Sequence, residues 1–148
     1  MNTQNSNKKL LRGYISSREI NGAYYPQNVQ NLVLRNFAKE NNIELQLSGT
    51  EWNIEKSFLM LRSIISEKNN GILLFSIFQI YENSSFFYDI VRKIIKKKKI
   101  IVFALENISI SSEKELQNLS KIFKITEVTS SRDYTKNYKK IVSFIGNK

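Results

Sequence analysis

Two stretches of this chain, Gly-Ile-Leu-Leu-Phe-Ser at 71–76 and Ile-Ile-Val-Phe-Ala-Leu at 100–105, are almost unbroken apolar runs. Each is far shorter than the roughly 18 apolar residues that span a bilayer. A run this short with no polar alternation fits a strand that must be covered on both faces, as parallel sheets require. That demand constrains the chain more than any other feature, because it calls for helices above and below one sheet.

The rest of the sequence supplies those helices in alternation with strands. Leu-Arg-Gly-Tyr-Ile-Ser at 11–16 reads as a first strand, behind a polar segment 1–10 expected to be disordered. Asn21-Gly22 marks a turn, and Pro26 suits a helix start, so a helix is expected over 26–41 with Val29, Leu32, Val33 and Phe37 on one face. Ile43 to Ser48 alternates as a short strand closed by Gly49, and Phe58, Leu61 and Ile65 form the stripe of a helix over 55–68. A third helix over 82–97 aligns Phe87, Ile90, Val91 and Ile94, and its lysine-rich end, 96–99, reads as a solvated helix terminus. Beyond the strand at 100–105 a polar loop leads to a helix near 112–122, opened by Ser112 and Glu115 at capping-box spacing. A short strand at 123–128 and a last helix striped by Tyr134, Tyr138, Ile141, Val142 and Ile145 complete the pattern. The expected fold is α/β: one three-layer domain over 11–148, a parallel sheet of four or five strands in the order 2-1-3-4, helices on both faces, flavodoxin-like.

A chain of 148 residues can bury a core without staples. It contains neither cysteine nor histidine, which removes disulfides, thiol nucleophiles, the usual zinc ligands and the usual neutral-pH base. No metal and no cofactor is expected. The first loop carries a single glycine, Gly22, so neither a dinucleotide-binding turn nor a P-loop can be drawn. The polar start, Met1 to Lys9, has no apolar segment of signal-peptide type behind it, so a cytoplasmic protein without membrane insertion is expected. The net charge of +10 invites a polyanion reading. With 17 lysines among 23 cations in a chain rich in Asn and Ile, AT-rich coding accounts for much of it, and nucleic acid is not the expected partner.

In a sheet of this order, ligands bind beyond the carboxyl ends of the strands. The loops there bring together Ser17, Arg18, Thr50, Glu51, Ser76 and Glu106. Glu51 and Glu106 form a candidate acid–base pair with Ser76 beside them, their strand ends three spacings apart, on the order of 14 Å. Arg18 suits bidentate binding of a phosphate or carboxylate. Gln27 and Gln30 open the first helix beside the same loop, and Trp52 can stack on a sugar or base. Each has a plainer reading: a glutamate capping a helix, an Arg18–Glu51 clasp, solvated amides, Trp52 as a lid over the core. Arg12, at the other end of its strand, reads as structural.

Arg12-Gly13-Tyr14-Ile15, Ser17-Arg18, Pro26-Gln27, Val29-Gln30-Asn31-Leu32, Thr50-Glu51, Ser57 with Met60-Leu61, Gly71-Ile72, Ser76 with Phe78, and Phe103-Ala104-Leu105-Glu106 together resemble the sporadic carbohydrate cluster protein family. These are small proteins of bacterial lipopolysaccharide and exopolysaccharide gene clusters. The resemblance covers about 11–110 and implies a role in making or modifying a surface glycan, with a sugar or nucleotide-sugar as ligand. It transfers no catalytic residue. Trp52 stands where a tyrosine is usual, and a proline expected near position 81 is missing. A fainter similarity links the chain to the resolvase catalytic domain, a small α/β sheet whose first strand contains a tyrosine and leads to a serine nucleophile. Here the fourth position after Tyr14 is Arg18, with Ser17 one place early, and no arginine-rich loop follows the third strand, so a shared fold is implied but not recombinase activity. The alternatives are thus a small sugar-modifying enzyme, a non-catalytic module for a glycan-pathway enzyme, and a resolvase-like polyanion binder; a homo-oligomer is compatible with each.

Overall fold

The computed structural model describes residues 7–53, 57–81 and 83–130. By its internal contacts the chain divides into two compact units, Met1–Ser111 and Ser112–Lys148.

The first unit holds a five-stranded sheet in the order β2-β1-β3-β4-β5. β1 (Lys9–Ser16) lies between β2 (Ile43–Glu51) and β3 (Gly71–Leu74), and β4 (Ile100–Phe103) pairs with β3; these four are parallel, as expected. Two differences stand out. β1 begins at Lys9, inside the segment expected to be disordered, because Asn70 clamps it: Leu10 N–H donates to Asn70 Oδ1 at 2.8 Å and Asn70 N–H to Leu10 O at 2.8 Å. The fifth strand is β5 (Ile108–Ile110), antiparallel to β4, in the stretch expected to be loop. A tight turn makes it possible, with Asn107 at φ 51° and its N–H donating to Ala104 O.

Helix α1 (Gln27–Glu40) packs on β1 and β2 from one face, and α2 (Leu59–Ser66) and α3 (Ser84–Lys96) cover the other. On the α1 side Leu11, Ile15, Leu73, Phe75 and Val102 meet Leu34 and Ala38 in one buried cluster. On the opposite side the fully buried residues include Tyr14, Ile72, Leu74, Phe103, Leu61, Ile64 and Phe87. The expected stripe of α3 is buried throughout, and Asn83 caps this helix by accepting from Phe86 N–H at 2.8 Å. In α1 the buried line runs Gln30, Leu34, Ala38, while Val29 and Leu32 are exposed. The phase differs from expectation because a glutamine, hydrogen-bonded on all sides, takes a core position that periodicity reserves for apolar residues. The lysine run also differs: Lys99 is buried, and its Nζ donates to Ile65 O at 2.9 Å and Glu67 O at 2.5 Å, closing the carboxyl end of α2.

β2 runs three residues past Ser48, with Gly49 inside it. Its register against β1 jumps between Arg12↔Gln46 and Tyr14↔Gly49, so two residues, Leu47 and Ser48, oppose the single Gly13. This is a β-bulge. Gly13 leaves room for the bulge, because a Cβ there would collide with Ser48 Oγ and crowd the Ser48 backbone, whereas a Cβ at Gly49 would push the side-chain ends of Met60 and Ile64 aside. Alternation alone would send Glu51 to the α1 side with Ile43 and Leu45; the extra residue turns it to the α2 side.

In the second unit α4 (Glu113–Ser130) starts as expected, with Ser112 N–H donating to Glu115 Oε2 at 3.1 Å and Glu115 N–H to Ser112 Oγ at 3.4 Å. It continues as helix through 123–128, where a strand was expected. The last expected helix, with Tyr134 and Ile145, lies outside the described residues. Among the described residues no helix is long and apolar enough to cross a membrane.

Candidate functional site

The bulge in β2 creates the first cluster. Glu51 is 4% exposed, and its carboxylate meets the start of α2, whose own flanking residue Phe58 offers no side-chain cap. Leu61 N–H donates to Oε2 at 3.1 Å, Met60 N–H to Oε1 at 3.3 Å, and Tyr14 O–H to Oε2 at 3.3 Å. A carboxylate at this position complements the positive end of the helix dipole. Burial, reinforced by the Glu51 charge, drives the Tyr14 pKa far above the ordinary phenol value although the Arg18 charge opposes it, so Tyr14 is a neutral donor. Arg18 lies beside the same helix start. Its guanidinium stacks on Phe58, 4.5 Å from the ring centroid, and donates to Ser57 O. Ser17 ties the loop to β2, its N–H donating to Glu51 O at 3.0 Å and its hydroxyl to the same oxygen at 3.4 Å.

The second cluster joins the ends of β1, β3 and β4. Gln30 is fully buried and bonds both ways with Ser16, accepting from its N–H at 3.0 Å and donating to its carbonyl at 2.7 Å. It also donates to Tyr25 O at 2.8 Å and accepts from Gln79 Nε2 at 3.1 Å. Gln79 in turn accepts from Phe75 N–H at 2.8 Å and Ser76 N–H at 3.1 Å. Ser76 donates its hydroxyl to Glu106 Oε1 at 2.7 Å and accepts from Phe78 N–H, while Ile77 N–H donates to Glu106 Oε2 at 3.1 Å. Glu51 and Glu106 therefore stand in separate networks, each held by its own donors. Gln79 was not expected at the site, although the Ser76-x-x-Gln79 spacing is a capping box and carried the signal.

Two clefts lie on opposite faces of the sheet, the first near these networks and the second at the far ends of α2 and α3. One, of about 350 Å³, lies on the α1 side and is lined by Gln27, Asn31 and Arg35 of α1 and by Gln46, Ser48 and Thr50 of β2, with Ser48 Oγ donating to Asn31 Oδ1 at 2.7 Å. It gathers Gln27 and Thr50 of the expected residues. Trp52 stands 64% exposed. Arg12 is structural as expected: it pairs with Glu67 at 3.2 Å and donates to Leu47 O. The other cleft, about 360 Å³ between α2 and α3, is lined by Arg62, Ile65, Ser66, Ile90, Lys93, Lys96 and Lys97. Lys96 and Lys97 belong to the lysine run expected to be a solvated helix end; the fold sets Lys93 beside them on α3 and Arg62 of α2 opposite. Among the described residues no cluster of acidic side chains is arranged to hold a metal ion.

No protein-family model matches the sequence, and no curated protein matches it. The resemblance to carbohydrate cluster proteins thus has no independent counterpart. The fold is similar to a solved structure, the N-terminal catalytic domain of TP901-1 integrase, with 18% identity over 83% of this chain and 99% of that one and a TM-score of 0.57. That likeness concerns the fold, and it agrees with the fainter resemblance, to the resolvase catalytic domain.

Proposed function

We propose that this chain is a polyanion-binding domain of resolvase-like fold, which takes a nucleic-acid backbone and does not recombine it. The observation that carries the reading is the α2–α3 cleft, where Arg62, Lys93, Lys96 and Lys97 converge and, among the described residues, no carboxylate lines it. The net charge of +10 and the likeness to an integrase catalytic domain support it. The engagement of Glu51, Glu106 and Ser76 in loop fastening weighs against acid–base or nucleophilic work by these groups. Fluorescence anisotropy with a short duplex tests the proposal. Binding at ~10⁻⁴ to 10⁻⁶ M at physiological salt, independent of sequence, is expected, with a log–log salt slope of about −3 to −4 for four neutralised phosphates. Failure to bind duplex and single strand alike, or salt-independent binding, would refute it.

A second reading keeps the glycan context. The α1–β2 cleft offers amides and hydroxyls from Gln27, Asn31, Ser48 and Thr50, with Arg35 beside them, donors suited to sugar hydroxyls and an acidic group. In that reading Gln27 and Thr50 contact the sugar, while Ser17, Arg18, Gln30, Glu51, Ser76 and Glu106 hold the loops around it. A thermal-shift screen against nucleotide sugars and acidic sugars distinguishes the two: saturable stabilisation by one of these, without duplex binding, would favour the sugar.

A further inference from the structure

The α2–α3 cleft is more than a row of charges. Lys93, Lys96 and Lys97 follow i, i+3, i+4 spacing and share one wall, and Arg62 stands on the other. All four are exposed, and among the described residues none is in an ion pair. The interior is mostly apolar, made by the edges of Ile65 and Ile90 together with the methylene stems of the long cations. Its volume, about 360 Å³, falls within the roughly 300–1,000 Å³ range of small-molecule sites.

A duplex cannot fill that interior, since its bases are stacked and offer a protein only their edges in the grooves, with the phosphates along the rim. A single strand can: an unstacked base can leave water for the apolar interior while the phosphates on either side meet cations at the rim. We infer that the α2–α3 cleft binds single-stranded nucleic acid, with one base inside and the flanking phosphates on Arg62, Lys93, Lys96 and Lys97. This rests on the polyanion reading and narrows its ligand.

The test compares three labelled ligands on the full chain at one salt concentration: an oligothymidylate of about twelve nucleotides, an abasic strand of the same length and charge, and a duplex. The oligothymidylate should bind about tenfold or more tighter than the abasic strand, because only it fills the interior. The variant K93Q/K96Q/K97Q should lower the magnitude of its salt slope by about two, as expected from roughly 0.7 per lost phosphate contact on single strands. The three positions are exposed, and should this variant nevertheless unfold, the abasic comparison on the unaltered chain decides alone. Equal affinity for the abasic strand and the oligothymidylate would overturn the inference and leave the polyanion reading standing. Displacement of the strand by polyglutamate at matched charge would overturn it in favour of an acidic protein partner. Failure to bind any strand or duplex would remove both.

Discussion

Glu51→Gln is the most informative single change in this protein, since it keeps shape while removing a charge and an acceptor. The carboxylate accepts from three donors, Met60 N–H, Leu61 N–H and Tyr14 O–H. A carboxamide has one acceptor oxygen. Placed at Oε2 it keeps Leu61 and Tyr14, but its NH₂ then faces the Met60 N–H donor to donor. An unsatisfied buried donor costs about 1–3 kcal/mol, and loss of a partly buried charge from a helix start costs about 0.3–2 kcal/mol. Together the substitution should destabilise by about 2–4 kcal/mol, which for a chain of this size is a fall in Tm of about 6–16 °C. Urea and thermal unfolding measure this directly, and oligothymidylate affinity read at a temperature where the variant is folded should be unchanged. A stability within about 0.5 kcal/mol of the parent would refute the assignment of Glu51 as the cap of α2. Loss of ligand binding at full stability would place Glu51 in the binding site instead.

Two further changes probe the same edge of the sheet. Tyr14 has a folded pKa raised above its unfolded value of about 10, so its contribution is complete below pH 10 and is lost as pH rises beyond it, at about 1.4 kcal/mol per pH unit; the stability of Tyr14→Phe, measured by urea titrations from pH 9 to 11, should fall less steeply by that amount. Gln30→Leu leaves the N–H and carbonyl of Ser16 and the carbonyl of Tyr25 without their partner and should cost about 3–5 kcal/mol in urea unfolding, whereas Gln27→Ala, three residues earlier on the same helix, should stay within about 0.5 kcal/mol.

The parallel order of four strands was readable because Gly71–Leu74 and Ile100–Phe103 carry no polar residue and demand cover on both faces. α3 was readable because its stripe is purely apolar. What escaped the sequence has identifiable causes. β5 is three residues, too short to display a period, and its position depends on the turn at Asn107. The 123–128 stretch is rich in β-branched residues, yet the helix nucleated by the Ser112–Glu115 box runs through it. The bulge in β2 has no local signature beyond a serine and a glycine, and one added residue reversed the face of everything after it. The candidate site was half legible: that Arg18 and Glu51 lie near one another followed from the pairing of β1 and β2, but that Glu51 caps α2 required knowing which way it turns. Gln30 and Gln79 show the limit most clearly, because a glutamine buried for hydrogen bonding looks in sequence like one on the surface.

The bulge has a consequence for assembly as well. β2 is an outer strand of nine residues, and an edge of that length, if straight, offers another chain a continuous template for pairing. The irregularity at Leu47 and Ser48 breaks the free edge into two short pieces and adds local twist, so no second strand can lie along the whole of it. At the opposite border β5 has only three residues to offer. The extra residue that aims one carboxylate inward thus also shortens the straight edge open to lateral growth of the sheet.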